Sequence, residues 1–478
     1  MKKRFVAFFT VLLLGLNIFS KGVYEPQQIK PENFPPITDH KKNPALPSSS
    51  DDAIIDRDMA TLSRLYKYVQ KNFLYEIDHN KVYEAMATAL FDSLDDKYSY
   101  FVKSDKVDEY QENTFGLYGG LGFYFSKNFI NYQDSEDEST LYCNITQVFP
   151  NTPSARGGMM AGDMITAIDG ESVKDMEAND CAKLMKGEVG SDVTVTVKRG
   201  NSSFDLTLTR ELIHVPTIEY CMLDNNTAYI LILEFSSDTA QKTVQALTEL
   251  AEQGMQNLII DLRDNPGGEV ESALKIANLF LSSDTLLTVS YKDSSKNVIY
   301  KATEDVFVDP SVNVVILVNG GTASCAEILS STMRDNGRAV LVGSKTFGKG
   351  IMQVVSSFGD AYTSITIASF VPPSGNEIHK VGVPVDYEVE SLTVEENERE
   401  SYKILSESDL LQKYIESAPE FTKENIENFA VLNPQTGIRP EVLNIIVRNE
   451  YLRKMNYDER PKADTWFDPA IKKALELF

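Results

Sequence analysis

One pattern occurs twice in the chain, and it limits the fold more than any other feature. Ala228–Leu233 and Asn257–Asp261 are apolar runs of strand length, and Thr239–Gln253 between them has apolar residues at helical spacing. The pattern returns in Val314–Val318, a helical run ending at Asn336, and the apolar stretch Arg338–Val342. Strand, helix, strand, with both strands apolar, predicts parallel strands in an α/β sheet.

The second unit also carries a candidate nucleophile. Gly320 and Gly321 allow a tight turn after the strand, Ser324 stands where the helix begins, and Gly337 lies just past its end. A serine there sits beside the unpaired N–H groups of the first turn, where the helix dipole favours developing negative charge. The N–H of Cys325 is a candidate oxyanion donor. A serine nucleophile needs a base. The four histidines, at positions 40, 79, 214 and 379, fall in no triad motif, and no G-x-S-x-G elbow occurs. Lys349, between Gly348 and Gly350, is the candidate, since Ser/Lys pairs are a variant of the triad. Bringing a lysine from ~10.4 to ~7–8 takes roughly 4 kcal/mol of desolvation. Phe347, Ile351 and Met352 are the expected apolar wall.

Structural accounts exist for the same residues. Ser324-Cys-Ala-Glu327 is an S-x-x-E capping box, and a lone lysine is ordinarily solvated. Gly343-x4-Gly348-Lys349 comes near a phosphate-binding loop, but Gly350 replaces the metal-binding Ser or Thr, and a strand is expected from Ile351 to Ser357.

The run into Ser324, the turn Asp335-Asn336-Gly337-Arg338-Ala339, and Thr346-Phe347-Gly348-Lys349-Gly350 with Gln353 resemble the carboxyl-terminal processing (tail-specific) protease family. The resemblance implies Ser324 as nucleophile, Lys349 as general base and Gln353 as the residue orienting the lysine. It implies a ClpP/crotonase-like core. It also implies a second oxyanion N–H from the loop Asp261-Leu-Arg-Asp-Asn-Pro-Gly267-Gly268, from either glycine. Ser374–Ile378 and Gly382–Asp386 resemble the end of that core, and His379 there is expected to be structural.

Gly120-Leu121-Gly122-Phe123 has the pattern of a PDZ carboxylate-binding loop, in which successive N–H groups hold a C-terminal carboxylate while the peptide adds as a strand. Strand-like Thr140–Val148, a short helix opened by Pro153, the strand and turn of Gly162–Gly170, a groove helix over Met176–Lys186 and the strand Val193–Val197 continue the resemblance to a PDZ domain. The family commonly carries Arg where this chain has Lys186-Gly187. The acidic run Asp134–Glu138 reads as a solvated loop.

The expected organisation is a signal peptide over 1–22, a Pro/Ser-rich linker over 23–50, a helical region over 51–115, a PDZ domain over 116–211, a peptidase core over 212–390 and a helical C-terminal region over 391–478. Met1-Lys-Lys-Arg followed by the apolar stretch 5–19 gives the signal, or a membrane tether if it is retained. Within 51–115, Ile54 to Phe73 recur at helical spacing, and a second helix near Asn80–Leu94 is expected to bury Val82, Met86, Leu90 and Phe91. The following Leu94–Ser99 is assigned packing or dimerisation. The C-terminal region is expected to be a cap or oligomerisation element.

A net charge of −24 with no basic stripe argues against nucleic-acid binding. Cys143, Cys181, Cys221 and Cys325 show no C-x-x-C spacing, so they are read as free thiols, and no metal or cofactor is implied. The expectation is an exported, periplasmic or envelope serine endopeptidase acting on proteins with free C-termini, with a homo-oligomer or an adaptor as partner. The alternative is a catalytically silent PDZ scaffold.

Overall fold

The strands of both strand–helix–strand units lie parallel in one central sheet. In the computed structural model it runs Ile218–Met222, Thr227–Ile232, Asn257–Asp261, Asn313–Val318, Val340–Gly343 and Tyr387–Glu388. Only the first pair is antiparallel. The structure describes residues 50–106, 117–127, 141–149, 151–200, 202–214, 216–224, 226–303, 305–359, 361–455 and 459–478. The expected signal peptide, nearly all of the expected linker and the acidic run Asp134–Glu138 lie outside them.

Helices Thr239–Glu252, Val270–Asn278 and Cys325–Asp335 make the crossovers. Leu258, Ile316 and Leu341 are fully buried in the sheet, each stabilising the fold by roughly 1.5–3 kcal/mol. The C-terminal helix Pro469–Glu476 packs Ala470, Ile471 and Ala474 against Tyr229, Ile259, Val315 and Val342 of the sheet. The rest of the C-terminal region forms its own core around Ile426, Phe429, Leu443 and Val447.

A second sheet lies at the edge of the site. Its long strand Ala361–Val371 pairs with Ile351–Phe358, with Thr285–Tyr291 and with a short strand, Tyr100–Val102. The region expected to be helical over 51–115 therefore contains a strand. Its two helices are Ser50–Asn72 and His79–Asp92, the second capped by Asp78, which accepts the N–H groups of Asn80 and Lys81. The expected burial within the second helix does not occur. Leu90 is 64% exposed, because the helix packs one side onto Tyr100–Val102 and leaves the other open.

The PDZ region is an insertion. Leu117–Gly120 and Glu211–His214 pair as a two-stranded stem, so its two ends leave side by side. Its sheet is built from Phe123–Ser126, Cys143–Val148, Met164–Ile168, Asp192–Arg199 and Ser202–Thr209, with the helix Ala178–Met185 against it.

Candidate active site

Ser324 opens the helix Cys325–Asp335 from a backbone at φ 56°, ψ −116°. A non-glycine residue there costs about 1–3 kcal/mol and has to be held by its surroundings. Glu327 does the holding. It is fully buried, and Oε2 accepts the Ser324 N–H at 2.9 Å and the Lys349 N–H at 2.7 Å. Oε1 accepts the Gly348 N–H at 2.8 Å and the Thr346 hydroxyl at 2.6 Å. One carboxylate thus ties the serine turn to the lysine loop, and the expected capping glutamate belongs to the site.

The glycines flanking Lys349 are required by close approach. A Cβ on Gly350 would lie 2.6 Å from the His379 nitrogen, and Gly348 has φ +92° beside the Gly382 nitrogen. The chain after the loop is a strand, Ile351–Phe358, as expected, which removes the helix a phosphate-binding loop needs. Lys349 is half-buried, and its Nζ lies 4.9 Å from the centre of the Tyr98 ring. Tyr98 is the aromatic wall here, and Phe347 is 50% exposed.

Desolvation pushes the Lys349 amine below its ordinary value. A Cys325 thiolate, Asp96 and Glu327 oppose this, and Lys97 adds to it. Burial pushes the Cys325 thiol up to about 12, so it is neutral near pH 7 and the carboxylates are the acidic neighbours present. Among the described residues no hydrogen bond joins the Ser324 hydroxyl to the Lys349 amine. Such contacts often tighten only when substrate binds.

Asn265 distinguishes the two loop glycines. Its Oδ1 accepts the Gly267 N–H at 2.8 Å, and its Nδ2 donates to the Ile232 carbonyl at 2.8 Å. The Gly267 carbonyl accepts the Phe235 N–H, which turns the Gly268 N–H of the same peptide the opposite way. Among the described residues the N–H groups of Gly268 and Cys325 have no intramolecular acceptor. A Cβ on Gly267 would lie 2.7 Å from Ser324 Cβ and 2.9 Å from the Cys325 nitrogen, so this loop lies against the serine. The Cys325 thiol donates to the Gly268 carbonyl at 2.9 Å.

Gln353 Nε2 donates to Thr366 Oγ1 at 3.2 Å, and no Gln353–Lys349 hydrogen bond exists among the described residues. In the PDZ region Gly120, Leu121, Gly122 and Phe123 line a groove with Phe125, Ala182, Met185 and Lys186. The carbonyls of Leu121 and Gly122 face inward, accepting from Ser154, Phe149 and Thr152. Lys186 Nζ lies 4.8 Å over the Tyr118 ring of the stem. A Cβ on Gly122, which has φ +85°, would lie 2.4 Å from Thr152.

Residues 226–389 match Peptidase family S41, and residues 145–199 match a PDZ domain. The carboxy-terminal processing protease CtpA of Bacillus subtilis is 31% identical over 325 residues, which is 67% of this chain and 67% of that protein. The chain belongs to the S41 carboxy-terminal processing peptidases. A CtpA-like serine protease of Staphylococcus haemolyticus is 30% identical over 68% of this chain and 64% of its own length. The chain spans about two thirds of the length of these relatives. The solved photosystem II D1 C-terminal processing protease is similar at 24% identity and a TM-score of 0.42, over 72% of this chain and 94% of that one.

The S41 peptidase is thus a serine-type enzyme carrying a PDZ domain. Tyr98, whose ring faces Lys349, and Asp96 and Lys97, whose charges act on it, were not singled out from sequence as site residues. Their partners are about 250 positions away, and no local periodicity signals such a pairing.

Proposed function

We propose that this S41 peptidase cleaves protein substrates with a Ser324/Lys349 dyad after its PDZ groove captures their free C-terminus. The observation that carries this reading is the single Glu327 carboxylate accepting both the Ser324 and Lys349 N–H groups. Lys349 takes the Ser324 proton as Oγ attacks the scissile carbonyl carbon. The oxyanion is held by the N–H groups of Cys325 and Gly268, each contributing about 3 kcal/mol. The lysine then gives its proton to the leaving amine as the C–N bond breaks, and a water hydrolyses the acyl-enzyme by the same relay. Gly268 is assigned over Gly267 because Asn265 already engages the Gly267 N–H.

The N–H groups of the Gly120–Phe123 loop fit a carboxylate, and Leu121, Phe125 and Met185 give the groove an apolar floor that favours an apolar terminal side chain. A ClpP/crotonase-like core is consistent with the parallel crossovers. We assign an exported, envelope location from residues 1–22. Among the described residues no helix is long and apolar enough to cross a membrane.

The test uses an unstructured protein with an apolar C-terminus, the same protein amidated at its terminus, and the Ser324→Ala enzyme. Cleavage that is lost in the variant and weakened by amidation is expected. Carboxylate-dependent binding without any cleavage would favour the silent scaffold and refute the dyad.

A further inference from the structure

The turn Asp96–Ser99 meets the lysine from a part of the chain outside the S41 match. Tyr98 presents its ring to Lys349 Nζ at 4.9 Å, and Lys97 Nζ lies 4.8 Å from the same ring and 5.3 Å from that of Phe347. His379 packs edge-on against Tyr98, with ring centres 6.4 Å apart. The turn is fixed by Asp96. Its Oδ1 accepts the Tyr98 N–H at 3.0 Å, and Oδ2 accepts the Ser99 hydroxyl at 2.7 Å and the Thr366 hydroxyl at 2.6 Å. The long strand holds the turn from the other side. Ser364 Oγ donates to the Tyr98 carbonyl at 3.2 Å, and the Thr366 N–H donates to Ser99 Oγ at 2.9 Å.

We propose that Asp96–Ser99 positions the general base: the Tyr98 ring holds the Lys349 amine, and Asp96 and Lys97 flank it with opposite charges. This rests on the Ser324/Lys349 reading. The ring does two things at once. It removes water from one side of the amine, and its face attracts the ammonium that forms when the serine proton is taken. Both effects fix where Nζ sits. Gln353 joins the same assembly through Thr366 and Asp96.

The charges around the amine come from three elements. Asp96 favours the ammonium and Lys97 disfavours it. Glu327, on the serine helix, favours the ammonium, and Cys325 beside it is a neutral thiol near pH 7. His379, from the loop following the long strand, faces Tyr98 and acts on Asp96. Removing Asp96 or Lys97 therefore moves the acid limb of the pH profile in opposite directions, which a merely structural turn would not do.

The experiment measures kcat and KM for cleavage across pH with the full chain. It also measures the pH dependence of Ser324 labelling by a fluorophosphonate. Tyr98→Ala is expected to lower kcat at least tenfold with KM little changed, and Tyr98→Phe to retain activity. Lys97→Gln should shift the acid limb of labelling to higher pH and Asp96→Asn to lower pH, each by about half a unit. Lys97 is exposed, so its variant keeps the test alive if Asp96→Asn fails to fold. Wild-type labelling with an acid limb that none of these variants moves, and equal activity of the Phe and Ala forms, would overturn the positioning role and leave the dyad standing. A wild-type enzyme that never labels, or labels without an acid limb, would overturn both.

Discussion

Replacing Glu327 by Gln tests whether one carboxylate holds the site together. Glu327 receives four hydrogen bonds, two at each oxygen, and it is fully buried. A glutamine offers one oxygen and one NH₂. With the NH₂ toward Ser324 and Lys349, two backbone donors lose their acceptor and face another donor; turned the other way, Gly348 N–H and the Thr346 hydroxyl lose theirs, though that hydroxyl can accept from the NH₂. Hydrogen bonds to a charged group contribute about 1.5–3 kcal/mol each, so two lost bonds cost about 3–6 kcal/mol. Total stability for such a domain is about 5–15 kcal/mol, so the variant should fold but with a large deficit. At about 2–4 °C per kcal/mol for a core of this size, the fall in Tm is about 6–24 °C. If the NH₂ faces Ser324 and Lys349, nothing holds the serine in its positive-φ backbone and kcat falls as well. The assays are thermal unfolding of the full chain followed by circular dichroism, and peptide cleavage by the same sample. A Tm within 2 °C of wild type and a kcat within threefold would refute the reasoning, since the four bonds would then not support the site.

Two further outcomes follow from the geometry. Gly267→Ala places a methyl group 2.9 Å from the Cys325 nitrogen, at a left-handed backbone angle, and should cost about 10²–10³ in kcat, with secondary structure retained by circular dichroism. In the C-terminal region the Arg439 guanidinium, helped by the N–H groups of Arg439 and Glu395, holds Glu398 down to about 2. Unfolded glutamate titrates near ~4.3, so this stabilisation is complete above that value and is lost as pH falls toward 2. Glu398→Gln should lower the Tm at pH 7, and the gap from wild type should close through that window.

Much of the core was legible because its signals are local. Apolar runs such as Asn257–Asp261 became strands at their expected positions, and glycines 320, 321 and 337 bounded the serine helix. The N-terminal region was harder to read. Leu90 has helical spacing, but spacing identifies a helix without saying what covers it, and Leu90 faces outward. The choice between Gly267 and Gly268 depends on where the Asn265 side chain points, which no dipeptide pattern encodes. Asp96 is held by Thr366, 270 positions away, and only the pairing of Tyr100–Val102 with the long strand brings them together.

The capping motif and a nucleophile at Ser324 looked like competing accounts, and on the proposed dyad they are one arrangement. An N-cap serine ordinarily takes an extended backbone, and its hydroxyl accepts an N–H from the first turn. Ser324 stands at positive φ, and the Glu327 N–H donates to the Ser324 carbonyl at 2.9 Å. The Ser324 carbonyl takes that N–H, and the Cys325 N–H stays open. The strain of that turn, about 1–3 kcal/mol, has to be offset elsewhere. Glu327 offsets it by reaching back to the Ser324 N–H, and the same carboxylate takes the Lys349 N–H from the opposite loop. The residue that starts the helix therefore also sets the lysine loop beside the serine, so on the proposed dyad the S-x-x-E signature reports the active site as much as the helix.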